Sequence, residues 1–269
     1  MKVTTGYSKN GLPYACVEGG KRVLFIMDGL DFSHTPPSPF QVKYFSGYVK
    51  TLVGKFTIYM VRRKPGLPAG YSLKDMSDDY AVMIEELDWP VDVMGLSTGG
   101  TVAQHFAADH LELVDRLVLA STGYRLRDEA RHLQWQLGQL ARNGEYRAAA
   151  ALMSGAVFTG VSAKIFKPVF WLIGKSMFGS SSGPSDGIIE IEAEDKHDFR
   201  ERLAEIKAPT LVIGGDLDFF YPIRETAEGI PGARLVLYEN AGHAAIMKSC
   251  FGKDVLAFLE ENTKEKPVE

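Results

Sequence analysis

The sequence predicts an α/β fold, an open, doubly wound and mostly parallel sheet interrupted by one helical insertion. Short, β-branched apolar runs alternate with amphipathic helical patterns along the chain. The runs are apolar on both faces, as strands covered by helices on both sides must be. The alternation lapses once, from about Tyr124 to Asp195, where only helical patterns occur.

The expected strands lie, in order, in "RVLFIMDG", "FTIYMVRR", "VDVMGLS", "RLVLAST", "TLVIGGD" and "RLVLYEN". After the second, Ser72 opens a helix with Asp75 as its capping-box partner and apolar residues at Leu73, Met76, Tyr80, Met83, Ile84 and Leu87. Further helices are expected through "TVAQHFAADH", "DFRERLAEI" and "FGKDVLAFLEEN". The insertion holds "LRDEARHLQWQLGQLA", "EYRAAAALMSGAVF" and the apolar run "IFKPVFWLIGKSMFG". The expected division is a core of residues 1–123 and 196–269 with a helical cap of residues 124–195. Aromatic residues concentrate in that cap, among them Trp135, Phe158, Phe166, Phe170, Trp171 and Phe178. Some belong to its core, and Trp135, Phe170 and Trp171 are the candidates for lining a pocket.

Composition narrows the function. A net charge of -4 gives no sign of a polyanion-binding surface, so nucleic acid is not an expected partner. Cys16 and Cys250 are far apart and outside any metal spacing, and none of the histidines has the spacing of a metal ligand. The N-terminal stretch has no apolar signal region, and the longest apolar run is broken by Lys167, Pro168 and Lys175. A cytoplasmic protein without an integral membrane segment is expected.

Gly-x-Ser-x-Gly occurs twice, around Ser97 and around Ser181. Context separates the two. Ser97 follows the apolar strand "VDVMGL" and precedes a helix, the strand–turn–helix setting of a nucleophile elbow. Ser181 has neither neighbour and is expected in a loop. A serine hydroxyl is a weak nucleophile until a base takes its proton and a third group orients that base. Downstream, "GGDLDFFYP" offers Asp218, with Asp216 as the alternative, and "ENAGHAAIM" offers His243 after the last strand. All are expected at carboxyl ends of strands, where side chains from different strands can meet. "GLSTGGTVA" lacks a dinucleotide-binding Gly-x-Gly-x-x-Gly, and "IGKS" lacks the upstream glycine of a P-loop.

On these residues the chain resembles the α/β-hydrolase family over nearly its whole length. "GLSTGG" is similar to the family's elbow, "TLVIGGDLDFFYP" to its Gly-x-x-Asp-x-x-x-Pro segment, which selects Asp218 ahead of Pro222, and "ENAGHAAIM" to its Gly-His loop. The resemblance implies an α/β-hydrolase fold with a cap, and oxyanion-holding N–H groups on Leu30 and Thr98, with Gly29 beside the substrate. It also implies a serine hydrolase, foremost a carboxylesterase for short-to-medium apolar esters, needing no metal or organic cofactor. C–C bond hydrolysis, lactone opening and cofactor-free perhydrolysis use the same triad, and a non-catalytic ligand-binding protein of this fold stays open beside them. One departure stands out. Where the family usually has His-Gly after the first of the six expected strands, this chain has Asp28-Gly29. A carboxylate aimed into an oxyanion site would oppose the developing charge, so Asp28 is expected to turn away toward Arg62 or Arg63. Asp31 and His34 of the same loop are candidates to border the site.

Overall fold

A computed structural model of the chain describes residues 2–87, 90–158, 160–179 and 185–261. The strands are β1 (Val3–Tyr7), β2 (Pro13–Val17), β3 (Arg22–Met27), β4 (Phe56–Val61), β5 (Val91–Leu96), β6 (Val114–Ala120), β7 (Thr210–Gly215) and β8 (Arg234–Tyr238). They form one sheet in the order β1-β2-β4-β3-β5-β6-β7-β8. β1 pairs with β2 and β2 with β4 antiparallel; every other pairing is parallel. The β1–β2 hairpin is an addition to the expected strands. Its β1 mixes exposed and half-buried residues at the sheet edge, so it lacks the continuous apolar run that marks the others.

Helices cover both faces. They are α1 (Pro39–Tyr48), α2 (Leu73–Ile84), α3 (Thr98–Asp109), α4 (Asp128–Arg142), α5 (Tyr146–Val157), α6 (Gly160–Phe178), α7 (Ser185–Asp195), α8 (Ile223–Gly229) and α9 (Phe251–Glu260). The Ser72–Asp75 capping box opens α2 as expected. "DFRERLAEI", expected as a helix, is instead a 3₁₀ turn over Arg200–Glu205, shorter than its charge pattern suggests.

Strand alternation sorts the core. Phe25, Met27, Val93, Leu117, Leu119 and Val212 pack with α2 and α3 on one face. Leu24, Ile26, Met94, Leu96, Val118 and Ile213 pack with α9 on the other. Helices α4 to α7 lie between β6 and β7 in the chain and pack a cluster of their own around Leu137, Ala149, Phe178 and Ile191, against Phe32. An antiparallel bridge between Arg125 and Asp198 brings the two ends of this insertion together. Among the described residues no helix is long and apolar enough to cross a membrane.

Candidate active site

β5 ends at Leu96 and α3 begins at Thr98, so Ser97 alone makes the turn, at φ 50° and ψ -124°. This backbone is unfavourable for any residue with a β-carbon and persists only where the surroundings impose it. The flanking glycines do so. A β-carbon at Gly95 would stand 2.5 Å from the Gly100 Cα, and one at Gly99 would stand 2.2 Å from the Met27 carbonyl oxygen. The start of α3 is thereby pressed against the end of β3. Ser97 does not cap the helix with its side chain. Its Oγ stands 3.0 Å from His243 Nε2.

His243 follows β8 and opens a 3₁₀ turn over His243–Met247. Its Nδ1 lies 2.9 Å from Asp218 Oδ2. Asp218 lies in the loop after β7, where its Oδ1 accepts from the N–H groups of Phe220 at 2.8 Å and Tyr221 at 3.0 Å. Asp216, the alternative, accepts from the Ala241 N–H and so ties this loop to the one carrying His243. An ionised carboxylate only accepts, so Nδ1 carries the ring proton and Nε2 turns its lone pair to the hydroxyl. Three side chains from the ends of β5, β7 and β8 thus form one hydrogen-bonded line.

Ser97 and His243 open on a cavity walled by Leu96, Val157, Phe158, Phe170, Ile246 and Met247. No Asp, Glu, Lys or Arg is among its described lining residues. Phe170 is among the residues that line this cavity. Gly29 also adjoins the serine, since a β-carbon there would be 3.6 Å from Ser97 Cβ. Trp135 and Trp171 are elsewhere. Trp135 is 58% exposed and stacks on His132. Trp171 is 48% exposed, with the Arg147 guanidinium 4.5 Å from its ring centre. Successive helical side chains diverge by about 100°, so α6 cannot turn both Phe170 and Trp171 inward. Ser181 lies outside the described residues.

Asp28 turns to Arg62, whose Nε donates to its Oδ2 at 3.3 Å. Neither the Leu30 nor the Thr98 N–H has an intramolecular acceptor among the described residues. Asp31 and His34 belong to a network behind the Asp28–Leu30 loop and do not line the cavity. His34 is wholly buried, with Nδ1 2.8 Å from the Lys64 carbonyl and Nε2 2.6 Å from Glu190 Oε1. Burial opposes its charge, but the hydrogen bond and charge of Glu190 raise its pKa overall. Burial likewise works to raise Asp31, yet Arg62 and His34 hold it below the ordinary carboxylate range.

Sequence reasoning missed Glu190 and Glu194, both wholly buried on α7. Glu194 Oε1 accepts from Tyr221 at 2.5 Å, and its Oε2 accepts from Gln134 at 2.9 Å and from the Thr98 hydroxyl at 3.0 Å. Burial raises its pKa against these hydrogen bonds. A signal did exist: in "GIIEIEAED" the two acids fall one turn apart, on the helix face that Ile191 also occupies.

The sequence profile of the alpha/beta hydrolase family matches residues 32–252. The chain is 27% identical to a putative carbamate hydrolase of Serratia proteamaculans, over 68% of this chain and 70% of that one. It is 28% identical to a pimeloyl-[acyl-carrier protein] methyl ester esterase of Chromobacterium violaceum, over 76% and 83% of the two chains. Among solved structures it resembles an enol-lactonase from Burkholderia xenovorans, with a TM-score of 0.76 and 24% identity over 93% of this chain and 96% of that one.

Proposed function

The chain belongs to the alpha/beta hydrolase family, and from that premise we propose that it is a serine hydrolase of small apolar carboxylic esters. In this reading Ser97 Oγ attacks the ester carbonyl while His243 Nε2 takes its proton. Asp218 holds the ring in the required tautomer and stabilises the imidazolium. The N–H groups of Leu30 and Thr98 hold the oxyanion, and His243 returns the proton to the departing alcohol. Water, activated by the same nitrogen, then releases the acid from the acyl-serine. The helical insertion acts as a cap, with Phe158 and Phe170 contacting the apolar part of the substrate.

One observation carries the proposal: an unbroken serine–histidine–aspartate hydrogen-bond line opens onto a cavity with an uncharged, apolar wall. The same wall argues against C–C cleavage of a dioxo acid, whose carboxylate would need a cationic or strongly polar partner. The test is a panel of p-nitrophenyl esters of graded acyl length, run on the wild type and on Ser97→Ala. Hydrolysis present in the first and absent in the second is expected. Equal rates, or none in either, would overturn the reading.

A further inference from the structure

Arg63 is nearly inaccessible to solvent, and its guanidinium donates in two directions. On one side Nε meets Glu190 Oε1 at 2.8 Å, and Nη2 meets Glu190 Oε2. On the other, Nη1 donates to the Asp28 carbonyl, and Nη2 donates to the Gly29 carbonyl at 2.5 Å. The Gly29 carbonyl and the Leu30 N–H belong to one peptide unit, planar and trans, and therefore point in opposite directions. Holding that oxygen on Arg63 aims the Leu30 N–H away from the arginine. Charge placed on the carbonyl also polarises the amide and strengthens its N–H as a donor.

Glu190 is fixed in turn by His34, and one helical turn further along α7 Glu194 takes the Thr98 hydroxyl. One helix of the insertion therefore braces Thr98 directly and, through Arg63, the peptide that carries the Leu30 N–H. We infer that Arg63 and Glu190 are positioning residues for the oxyanion site, acting through the Gly29–Leu30 peptide without touching substrate. The inference rests on the serine-hydrolase reading above.

The experiment uses the full chain and p-nitrophenyl butyrate, comparing wild type, Arg63→Lys, Glu190→Gln and Arg142→Ala. It reads kcat, KM, thermal melting and inhibition by phenylboronic acid, which forms a tetrahedral adduct on an active serine. A lysine's single nitrogen cannot span both carbonyls and the Glu190 carboxylate as the guanidinium fork does, so Arg63→Lys should lower kcat by about 10²-fold, near the effect of one lost oxyanion donor, with KM changed less than about threefold. Boronic acid affinity should fall with kcat. Glu190→Gln keeps the shape but loosens the arginine, and about tenfold is expected. Arg142→Ala removes only an exposed tie between α4 and α7 and should leave kcat and KM unchanged.

Folded Arg63→Lys and Glu190→Gln proteins with wild-type kcat and merely lower melting temperatures would overturn the inference. If Arg63→Lys does not fold, Glu190→Gln decides alone. Failure of both to fold would make the pair structural and also overturn it. A wild type without Ser97-dependent turnover sinks the hydrolase reading and the inference with it, a result distinct from an active wild type matched by its variants.

Discussion

His243 and His34 each lie against a carboxylate, at 2.9 Å from Asp218 and 2.6 Å from Glu190. They differ in what the other nitrogen meets. For His243 it is the Ser97 hydroxyl beside a cavity; for His34 it is the Lys64 carbonyl inside the protein. An imidazole between two acceptors satisfies both only when it is protonated, a form that the raised pKa of His34 favours, and it serves as a strut. An imidazole between an acceptor and a hydroxyl keeps a lone pair, which suits it to take a proton. A histidine–carboxylate pair by itself does not mark a catalytic site. Its third neighbour does.

The largest expected effect tests that contrast directly. His243→Gln should cut ester hydrolysis by about 10⁵–10⁶, and Asp218→Asn, which spoils the tautomer, by about 10⁴, with circular dichroism unchanged in both. A rate within tenfold of wild type in either would erase the distinction between the two pairs.

On the buried side the effect should be on stability. His34→Leu leaves Glu190 one donor short and should lower unfolding free energy in urea by about 2–3 kcal/mol. Its pH dependence has a definite sign. Burial works to lower the folded-state pKa of His34, and Arg63 adds to that, but the hydrogen bond and charge of Glu190 raise it overall. Its contribution is full below the unfolded-state pKa and is lost as pH rises through the folded one. The gap between wild type and His34→Leu should therefore narrow toward alkaline pH, and a gap that widens would refute the cationic assignment.

The smallest effect comes from a third arrangement, in which a half-buried and a buried imidazole have no hydrogen-bonded carboxylate among the described residues. Burial lowers the pKa of His105 to about 4 and that of His197 to about 3, and their rings lie 5.4 Å apart. Each folded-state value lies below the unfolded one, so the stability they allow near neutrality is lost as pH falls below about 6.5. His105→Phe should remove about 1 kcal/mol of that loss near pH 5.5. Melting curves of wild type and variant that run parallel between neutral pH and about pH 4.5 would contradict this.

Much of the site could be read from the chain because each of its three side chains follows a strand written as a continuous apolar run. Gly95 and Gly99 add a steric requirement that a composition-driven Gly-x-Ser-x-Gly would not have to meet. The sequence was silent where burial had no periodic signature. Edge strand β1 shows Thr4 and Thr5 to solvent, and so looks like a loop. Aromatic content drew attention to Trp135 and Trp171 but could not say which way they face, because a helix packed on one side can still expose a tryptophan on the other. Glu190 and Glu194 share a helix face with Ile191, but nothing in that pattern names the partner of Glu190, Arg63, more than a hundred residues earlier in the chain.

Ser97 spends its whole folded life in a backbone posture better suited to glycine. A mutation to glycine at that one position would relieve the tension and toughen the molecule in the same stroke that disarms it. Screens of this chain for heat resistance alone would therefore favour inert winners, and a search for sturdier variants has to select for turnover at every round.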